Sequence, residues 1–370
     1  MNSKSFLCRL IDAHPENWRQ ICEDKYIKVK DDGALSIFTY DIFADFYDPV
    51  VQEARGIIID TEKKDVVCCP FRKFGNSHEG YADKIDWKTA VVQEKVDGSI
   101  VKLWNNNGLW QFSSNGMIRA SDVVFQTGYN MENIIEQTAE WNVLRELCQN
   151  DKLNKNYTYI FELVSPFNQV VIQYDKPALY HIGTRNNKTG QEYSDIDLGI
   201  RKPKVYPLHS LGECINAATT LNTGDFPDNE GFVVVDAKFN RVKVKCPEYL
   251  VYHHAINNGK ISKEDAWELV HADDFNLDTF VKMAPAHVSD AMRYYVEEFT
   301  KTKAEAIAFV DEVHKMVEDG LSRKDIAMRI KDNRYSFFGF RSINTPELTA
   351  EEVVDAQGVK LMNLIADYEP

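Results

Sequence analysis

The sequence has no long apolar run, and this absence limits where the protein can reside. No stretch of the 370 residues approaches the roughly 18 consecutive apolar residues that a membrane-spanning helix needs. Residues 1–10 also lack the apolar core of a secretory signal peptide. With 44% hydrophobic residues, the composition is that of a folded chain rather than a disordered one. We therefore expect a cytoplasmic protein with no membrane partner.

Cysteines are few and irregularly spaced, and no C-x-x-C pair occurs among them. Their number, seven, is odd. Such spacing argues against both a disulfide framework and a structural zinc site. We expect reduced thiols with no chemical role.

Positive charge is also scarce. The chain has 43 Lys and Arg against 57 Asp and Glu, which gives a net charge of −14. Residues 256–370 alone contribute a net charge of −8. Because such a surface repels polyanions as a whole, any binding of nucleic acid must rely on local clusters of basic residues.

Short apolar or alternating runs, separated by Asp-Gly, Asn-Gly and Thr-Gly turns, fill residues 57–245. This pattern predicts antiparallel sheet. Helical spacing of apolar residues predicts one inserted helix over Asn130–Gln149. The predicted strands are Ile57–Ile59, Ala90–Val92, Ile100–Trp104, Tyr157–Val164, Val170–Ile172, Phe232–Val235 and Arg241–Lys245.

Beyond about residue 252 the pattern becomes helical. Three hydroxyl residues stand three positions before a carboxylate, which is a helix start signal. An apolar stripe of Ile307, Val310, Val313 and Val317 predicts a further helix over Ala304–Glu318. We predict an α+β fold with an antiparallel-sheet domain over residues 1–255 and an all-α domain over 256–370. The start signals are Ser262 with Asp265, Ser322 with Asp325, and Thr349 with Glu352.

The segment Glu94–Ser99 places Lys95 where an apolar strand meets an Asp-Gly turn. On its own, such a lysine is most often simply solvated. A lysine with a pKa of about 10.4 is a poor nucleophile at neutral pH. A catalytic role therefore requires neighbouring cations and burial to lower the pKa of Lys95.

Lys243 and Lys245 could supply such cations. In Val242-Lys243-Val244-Lys245 the two-residue period of a strand puts both lysines on one face. Two adjacent ammonium groups repel each other, so a site that holds both is expected to bind an anion. The alternative is a solvent-facing strand of lysines.

Two glutamates are further candidates. Glu162 lies inside an apolar strand, where its carboxylate must be paired or hydrogen-bonded. A ribose hydroxyl or an internal arginine would each serve. Glu230, at the start of an apolar strand, could reach a metal or a phosphate, or could be an ordinary turn residue.

Three more side chains could contact a nucleotide. Arg55 can bind phosphate oxygens in a bidentate fork, and Lys73 can bind them as a point charge. Tyr40 offers a flat face for adenine, although core packing is the commoner role of such a tyrosine.

In this order, these segments resemble the covalent nucleotidyltransferases, and most closely the bacteriophage RNA ligase 1 family of tRNA-repair ligases. The resemblance covers about the first 255 residues. Each motif alone is only modestly specific. The occurrence of all of them in the same order is much more specific. The resemblance rests on Ile37–Tyr40, Ala54–Ile57, Arg72–Phe74, Glu94–Ser99, Phe161–Pro166, Arg185–Gly190, Glu230–Phe232 and Val242–Lys245.

The resemblance implies an antiparallel-sheet nucleotidyltransferase domain and a three-step reaction. Lys95 would attack the α-phosphate of ATP, with Mg²⁺ or Mn²⁺ present, and form a lysyl-AMP. The AMP would pass to an RNA 5′-phosphate, and a 3′-hydroxyl would then displace it to seal the strand. The implied partners are single-stranded or broken-loop RNA ends, tRNA above all, and an end-healing kinase/phosphatase. If the gene is a phage gene, the implied location is the host cytoplasm.

The resemblance also implies roles for individual residues. Tyr40 would lie against adenine, Arg55 and Lys73 would contact the nucleotide and its phosphates, and Glu162 would hold the ribose. Lys243 and Lys245 would hold the α-phosphate and offset charge as pyrophosphate leaves. Tyr249 matches a functional tyrosine of the family.

The resemblance also implies metal ligands, and the sequence differs from the family at one position. Asp273, with Asp274, falls where family members carry an acidic pair associated with magnesium, and Glu230 is a second candidate ligand; a solvated helix end is the alternative for the pair. Asn115 stands where the family has a lysine before Gly116, so phosphate contacts there are expected to differ.

Two other readings are weaker. DNA ligases and capping guanylyltransferases share the lysine chemistry, but a β-barrel follows it there, whereas a helical segment follows here. A catalytically silent RNA-end-binding protein could use the aromatic and basic residues of Lys331–Arg341 for stacking and phosphate contacts, unless those aromatics are core. The retained set of Lys95, Glu162, Lys243 and Lys245 argues against a silent protein.

Overall fold

The chain divides into two compact units, Met1–Leu250 and Val251–Pro370. The computed structural model describes residues 5–125, 127–168, 170–222, 228–246, 249, 261–271, 275, 277–284 and 286–368. The predicted assignment of a nucleotidyltransferase domain to residues 1–255 and a helical domain to 256–370 stays a prediction.

The first unit is built on antiparallel strands, as predicted. The strands are β1 (Ile27–Asp32), β2 (Leu35–Tyr40), β3 (Arg55–Asp60), β4 (Asp65–Cys68), β5 (Val91–Glu94), β6 (Ser99–Asn106), β7 (Leu109–Ser114), β8 (Tyr157–Val164), β9 (Ala178–Asn186), β10 (Glu192–Tyr193), β11 (Val205–Tyr206), β12 (Gly231–Val235) and β13 (Arg241–Lys245).

In the described part of the chain these strands form three sheets. The first has the order β1-β2-β3-β4, the second β10-β9-β8-β6-β7 and the third β11-β5-β12-β13. Strand β5 belongs to the third sheet and β6 to the second, so the short turn after Glu94 connects them. This turn contains Lys95.

The helices of the first unit surround the sheets. They are α1 (Phe6–Ala13), α2 (Trp18–Asp24), α3 (Pro49–Glu53), α4 (Met131–Glu136), α5 (Ala139–Gln149) and α6 (Leu211–Ala218). Ile134, Ile135 and Leu144 pack with Leu103 and Phe161 in a core against the second sheet.

Two sequence predictions for this unit are wrong. The single helix over Asn130–Gln149 is broken by Thr138, whose hydroxyl donates to the Ile135 carbonyl and accepts from the Trp141 amide. The strand over Val170–Ile172 is absent, because the amides of Val171 and Ile172 donate to a side chain, Asp97, instead of to a neighbouring strand.

Every regular element that the structure describes beyond residue 250 is a helix, which confirms the α+β prediction. All three start signals cap helices, with Ser262, Ser322 and Thr349 accepting the predicted amides. The helices are α7 (Lys263–Val270), α8 (Leu277–Met283), α9 (Ala286–Glu318), α10 (Arg323–Ile330), α11 (Ser336–Asn344), α12 (Ala350–Asp355) and α13 (Gly358–Met362).

The predicted helix over Ala304–Glu318 is the second half of α9. Val310 and Val313 are fully buried, whereas Val317 is 44% exposed, so the apolar stripe stops one turn before the helix ends.

Candidate active site

A cavity of about 530 Å³ opens in the first unit beside the turn that carries Lys95. This volume is within the range of small-molecule binding sites. Apolar side chains such as Phe74, Ile100 and Phe125 form part of its wall. Its charged lining includes five of the predicted site residues: Arg55, Lys95, Glu162, Lys243 and Lys245.

Lys95 is held through its main chain by Gly231 and through its side chain by Glu230. The Lys95 amide donates to the Gly231 carbonyl at 2.8 Å, where β5 and β12 pair. The Lys95 Nζ donates to Glu230 Oε2 at 2.6 Å, and Lys245 Nζ lies 3.5 Å from Glu230 Oε1. Glu230 therefore joins the lysine of the turn to one of the paired lysines.

Gly231 makes this approach sterically feasible. Its φ of +133° is one that L side chains rarely adopt, and an added Cβ would lie 2.8 Å from the Cα of Lys245 and overlap the Val244 carbonyl. The glycine after Glu230 thus allows β12 and β13 to run close together behind the ion pair.

The expectation that cations lower the pKa of Lys95 is wrong for the structure. Burial alone would lower that pKa, but the charges of Glu230 and Glu162 and the hydrogen bond to Glu230 outweigh it and raise the pKa. The pKa of the Glu230 carboxyl is correspondingly lowered: burial opposes the shift, and the charges of Lys95 and Lys245 override it. Without a ligand, the two groups form a charged pair.

Among the lysines that line the cavity in the described part of the chain, Lys243 has a lowered pKa. Burial and the charges of Lys73 and Lys245 hold its pKa well below the usual lysine value. Lys243 and Lys245 alternate with the buried Val242 and Val244, which confirms that both lysines share one face of β13.

Glu162 faces the cavity from the middle of β8. Its pKa is raised to about 8, chiefly by burial, against the attraction of Lys95. The internal arginine pair considered for it is absent in the part of the chain that the structure describes; Arg55 acts on Glu162 only as a nearby charge. Such a carboxyl group is suited to accept a hydrogen bond from a ligand hydroxyl.

Asp97 fixes the turn through three hydrogen bonds that its carboxylate accepts. Its carboxylate accepts from the amides of Val171 and Ile172 at 2.9 and 2.7 Å, and from the Tyr249 hydroxyl at 2.8 Å. Tyr249 is 1% exposed, and its ring lies 5.5 Å from Lys245 Nζ. Tyr249 therefore contacts the site through the aspartate of the turn and the second paired lysine.

Tyr40 and Lys73 lie together, and although the charge of Lys73 acts on Lys243, neither residue lines the cavity within the described residues. Lys73 Nζ lies 4.4 Å from the ring centroid of Phe46, 5.3 Å from that of Tyr40 and 5.9 Å from that of Tyr81. The cation is thus held by aromatic faces. Contacts of Tyr40 and Lys73 with a nucleotide stay predictions.

Of the predicted metal ligands, the structure describes Glu230 but not Asp273. Asp273 and Asp274 lie outside the described residues. Glu230 is described, and its two oxygens face Lys95 and Lys245. Among the described residues no group of three or more metal-ligating side chains forms a ready-made cage.

Comparison with known proteins assigns this site to a family. A family model described as RNA ligase, of the phage T4 RNA ligase 1 type, matches residues 53–249. This match covers more than half of the chain and contains the whole cavity. The chain belongs to the phage RNA ligase 1 family.

Individual relatives are distant from the chain in sequence. A protein of Autographa californica nuclear polyhedrosis virus, provisionally named a bifunctional polynucleotide kinase/RNA ligase, is 29% identical over 75% of this chain and 42% of its own length. An RNA ligase of Rhodothermus phage RM378 is 24% identical over 83% and 84%. A provisionally named RNA ligase of Thermovibrio ammonificans is 28% identical over 64% and 63%. The chain thus spans less than two thirds of the viral and Thermovibrio relatives.

Solved structures show looser similarity. An archaeal ATP-dependent RNA ligase aligns with a TM-score of 0.45 at 13% identity, over 98% of this chain and 92% of its own. A Naegleria gruberi RNA ligase mutant with ATP and Mn aligns with a TM-score of 0.34 at 13% identity, over 45% and 51%.

The structure adds one site residue for which the sequence offered a signal. Arg241 lines the cavity and pairs with Glu192 at 2.9 Å. It begins the same strand as Lys243 and Lys245 and follows the same two-residue period, so the pattern that identified those lysines also includes it. Phe71 and Phe74 lie against its guanidinium, 4.2 and 5.9 Å from their ring centroids.

Proposed function

We propose that this chain is an ATP-dependent RNA ligase that joins RNA 5′-phosphate and 3′-hydroxyl ends. In the first step the Lys95 amine forms a bond to the α-phosphorus of ATP, the bond to pyrophosphate breaks, and the amine gives up a proton. The AMP then moves to an RNA 5′-phosphate, and the 3′-hydroxyl of a second end displaces it.

The observation that supports this proposal most directly is the meeting of Lys95 with Lys243 and Lys245 in one cavity. Three ammonium groups and Arg55 surround a space in which a phosphate chain would offset their mutual repulsion. Fixed cations of this kind also stabilise the charge that develops as pyrophosphate leaves.

Glu230 is the group placed to handle the proton of Lys95. Its Oε2 lies 2.6 Å from Lys95 Nζ, within the distance at which a base can accept a proton. When the α-phosphate binds beside Lys243 and Lys245, Glu230 stays hydrogen-bonded to Lys95 and can accept the proton that the amine gives up.

Glu162 supports binding of the nucleoside. The pKa of Glu162 is raised to about 8, so its ionised form is poorly stabilised when no ligand is bound. A ribose hydroxyl that donates to Glu162 would stabilise the ionised form. Nucleotide binding would then release a proton from this residue.

The donor set suits a magnesium ion that arrives with ATP. Mg²⁺ commonly binds to one or two carboxylates and to substrate phosphates, so a full protein cage is not needed. Glu230 is the described carboxylate proposed to hold it, and Asp273 is a further proposed ligand. When bound, the ion would neutralise phosphate charge.

The RNA ends of a broken tRNA loop are the proposed substrate, by analogy with the family alone. The viral relative is named as a kinase joined to a ligase. This name supports functional pairing of the present chain with an enzyme that heals RNA ends. The proposed location of this pairing is the cytoplasm.

Self-adenylylation tests the proposal directly. Incubation with α-labelled ATP and Mg²⁺ should label the chain, and acid, but not alkali, should release the label, as expected of a phosphoramidate. Lys95→Ala should remove labelling entirely, whereas Lys88→Ala, an exposed lysine earlier in the same unit, should not. An unlabelled parent chain would rule out the ligase.

A second assay identifies the nucleic acid. The labelled enzyme is offered 5′-phosphorylated single-stranded RNA or nicked duplex DNA. We expect label to move to RNA; movement to DNA alone would favour a DNA ligase.

A further inference from the structure

Helices α10 and α11 carry an unusual concentration of positive charge. Residues 323–344 contain six Lys and Arg against two Asp, a net charge of +4 in a chain of net charge −14. The α10–α11 surface is defined by the exposed side chains of this segment and its neighbour on α13: Lys324, Met328, Arg329, Lys331, Arg334, Phe337, Phe340, Arg341 and Lys360.

These cations have no acidic partner within 4 Å among the residues that the structure describes. Elsewhere in the second unit, Lys263, Lys301 and Lys303 each pair with a carboxylate. No such pair involves the cations of residues 323–344 in the described part of the chain. Two of them are held instead by carbonyl oxygens, Arg323 by that of Ile343 and Arg334 by that of Leu364. Their positive field is therefore directed to solvent.

Exposed apolar side chains lie on the same two helices as these cations. Phe337 and Phe340 are 43% and 38% exposed, and Met328 is 63% exposed. Phe337, Phe340 and Arg341 are spaced three and four residues apart, so they share one face of α11. Lys360 Nζ lies 5.2 Å from the ring centroid of Phe337.

The aromatic segment noted in the sequence thus has two parts. Tyr335 and Phe338 are buried and pack with Val310 and Val353 in the helical core. Phe337 and Phe340, by contrast, are not members of this core, and each exposes much of its ring to water. Exposed rings flanked by unpaired cations are the arrangement with which proteins hold single-stranded nucleic acid.

We propose that the α10–α11 surface binds single-stranded RNA, with bases stacked on Phe337 and Phe340 and phosphates bound by Lys331, Arg341 and neighbouring cations. The inference rests on the proposed function, which supplies RNA as substrate. Charge complementarity favours this ligand, because the rest of the acidic chain repels a polyanion. The surface lies beyond residue 249, outside the segment that the family model matches.

Binding of a 5′-phosphorylated single-stranded oligoribonucleotide to the full chain tests the stacking. Phe337→Ala with Phe340→Ala should weaken binding at least about tenfold, since stacking on an aromatic side chain commonly contributes that much per base. The matched control is Tyr26→Ala with Phe43→Ala, which removes two exposed aromatics of the first unit.

A charge variant tests the phosphate contacts. Lys324→Gln, Arg329→Gln and Lys331→Gln together should reduce the slope of log affinity against log salt by about 2, as expected for three lost contacts to a single strand. Lys301→Gln, which removes a cation that already has an acidic partner, should leave the slope nearly unchanged.

The outcomes distinguish binding of single-stranded RNA from binding of a polyanion that lacks bases. If the aromatic variant binds RNA as tightly as the parent, or if inorganic polyphosphate competes as well as RNA of equal charge, the surface is a site for polyanions without bases and the proposal is wrong. Unchanged binding in both variants also overturns it. Self-adenylylation uses no RNA, so its failure in the parent chain would remove the proposed function without deciding this result.

Discussion

At the scale of single residues, the feature that governs reactivity is the charge of Glu230. The carboxylate raises the pKa of Lys95, so removing its charge lowers the pKa and leaves more neutral amine at a given pH. In Glu230→Gln the rise of the self-adenylylation rate with pH should therefore shift to lower pH, even if the maximal rate falls.

Single-turnover labelling across a pH series measures this shift. Glu213→Gln, which removes an exposed carboxylate on α6, is the control and should keep the parent profile. A rate profile that stays in place or moves to higher pH in Glu230→Gln would contradict the role assigned to the pair.

At the scale of elements, the turn between β5 and β6 requires a residue without a side chain, Gly98. A Cβ on Gly98 would overlap the Leu163 carbonyl oxygen on β8 and lie 3.1 Å from the Val164 side chain. Gly98→Ala should therefore displace the turn that carries Lys95, cost about 1–3 kcal/mol of stability and strongly slow self-adenylylation. Urea unfolding and labelling rates measure both effects.

Gly212→Ala is the matched control for Gly98→Ala. A Cβ at this position on α6 meets nothing within 4 Å, and we expect a neutral or slightly stabilising effect. Equal losses in the two variants would show that the close approach at Gly98 is unimportant.

The break between α4 and α5 makes a separate prediction. Thr138 is 2% exposed and caps α5 while it donates to the last turn of α4. Thr138→Ala should cost about 1–2 kcal/mol in the free energy of unfolding. Thr138→Ser keeps the hydroxyl and should recover most of it; if serine is as destabilising as alanine, the lost methyl contacts rather than the cap explain the effect.

Local periodicity explains what could be predicted from the sequence. Lys243 and Lys245 were placed correctly because one strand determines their common face, and the caps at Ser262, Ser322 and Thr349 depend on residues three positions apart. The partners of Lys95 and Asp97 could not be derived in this way. Glu230 and Tyr249 lie far along the chain. The pairing of β5 with β12 brings Glu230 to Lys95, and Tyr249 reaches Asp97 from beyond β13.

The same limit explains the two errors in secondary structure. Val170–Ile172 is apolar enough for a strand, but a distant carboxylate binds its amides. Asn130–Gln149 has helical spacing, but one buried threonine hydroxyl competes locally for the backbone.

At the scale of the whole molecule, the thiols report on folding. None of the seven cysteines, all of which the structure describes, is in a disulfide; six are buried and Cys148 is partly exposed. Burial raises the pKa of Cys22, Cys69, Cys148 and Cys214 to about 11, which leaves little thiolate at neutral pH. A thiol reagent should therefore modify at most Cys148 rapidly in the native protein and all seven cysteines after denaturation.

Counting modified cysteines by mass spectrometry along a urea series checks this expectation. Cys148→Ser should remove the native reaction and leave six sites in the unfolded chain. Rapid native modification of Cys8 or Cys246 would contradict their burial.

The bond between Lys95 and Glu230 joins positions 135 residues apart. During synthesis Lys95 therefore leaves the ribosome well before its partner, and the proposed reaction with ATP can begin only after β12 has docked beside β5. Fragments that end before β12, whether from interrupted synthesis or from proteolysis, would carry the lysine without the means to use it.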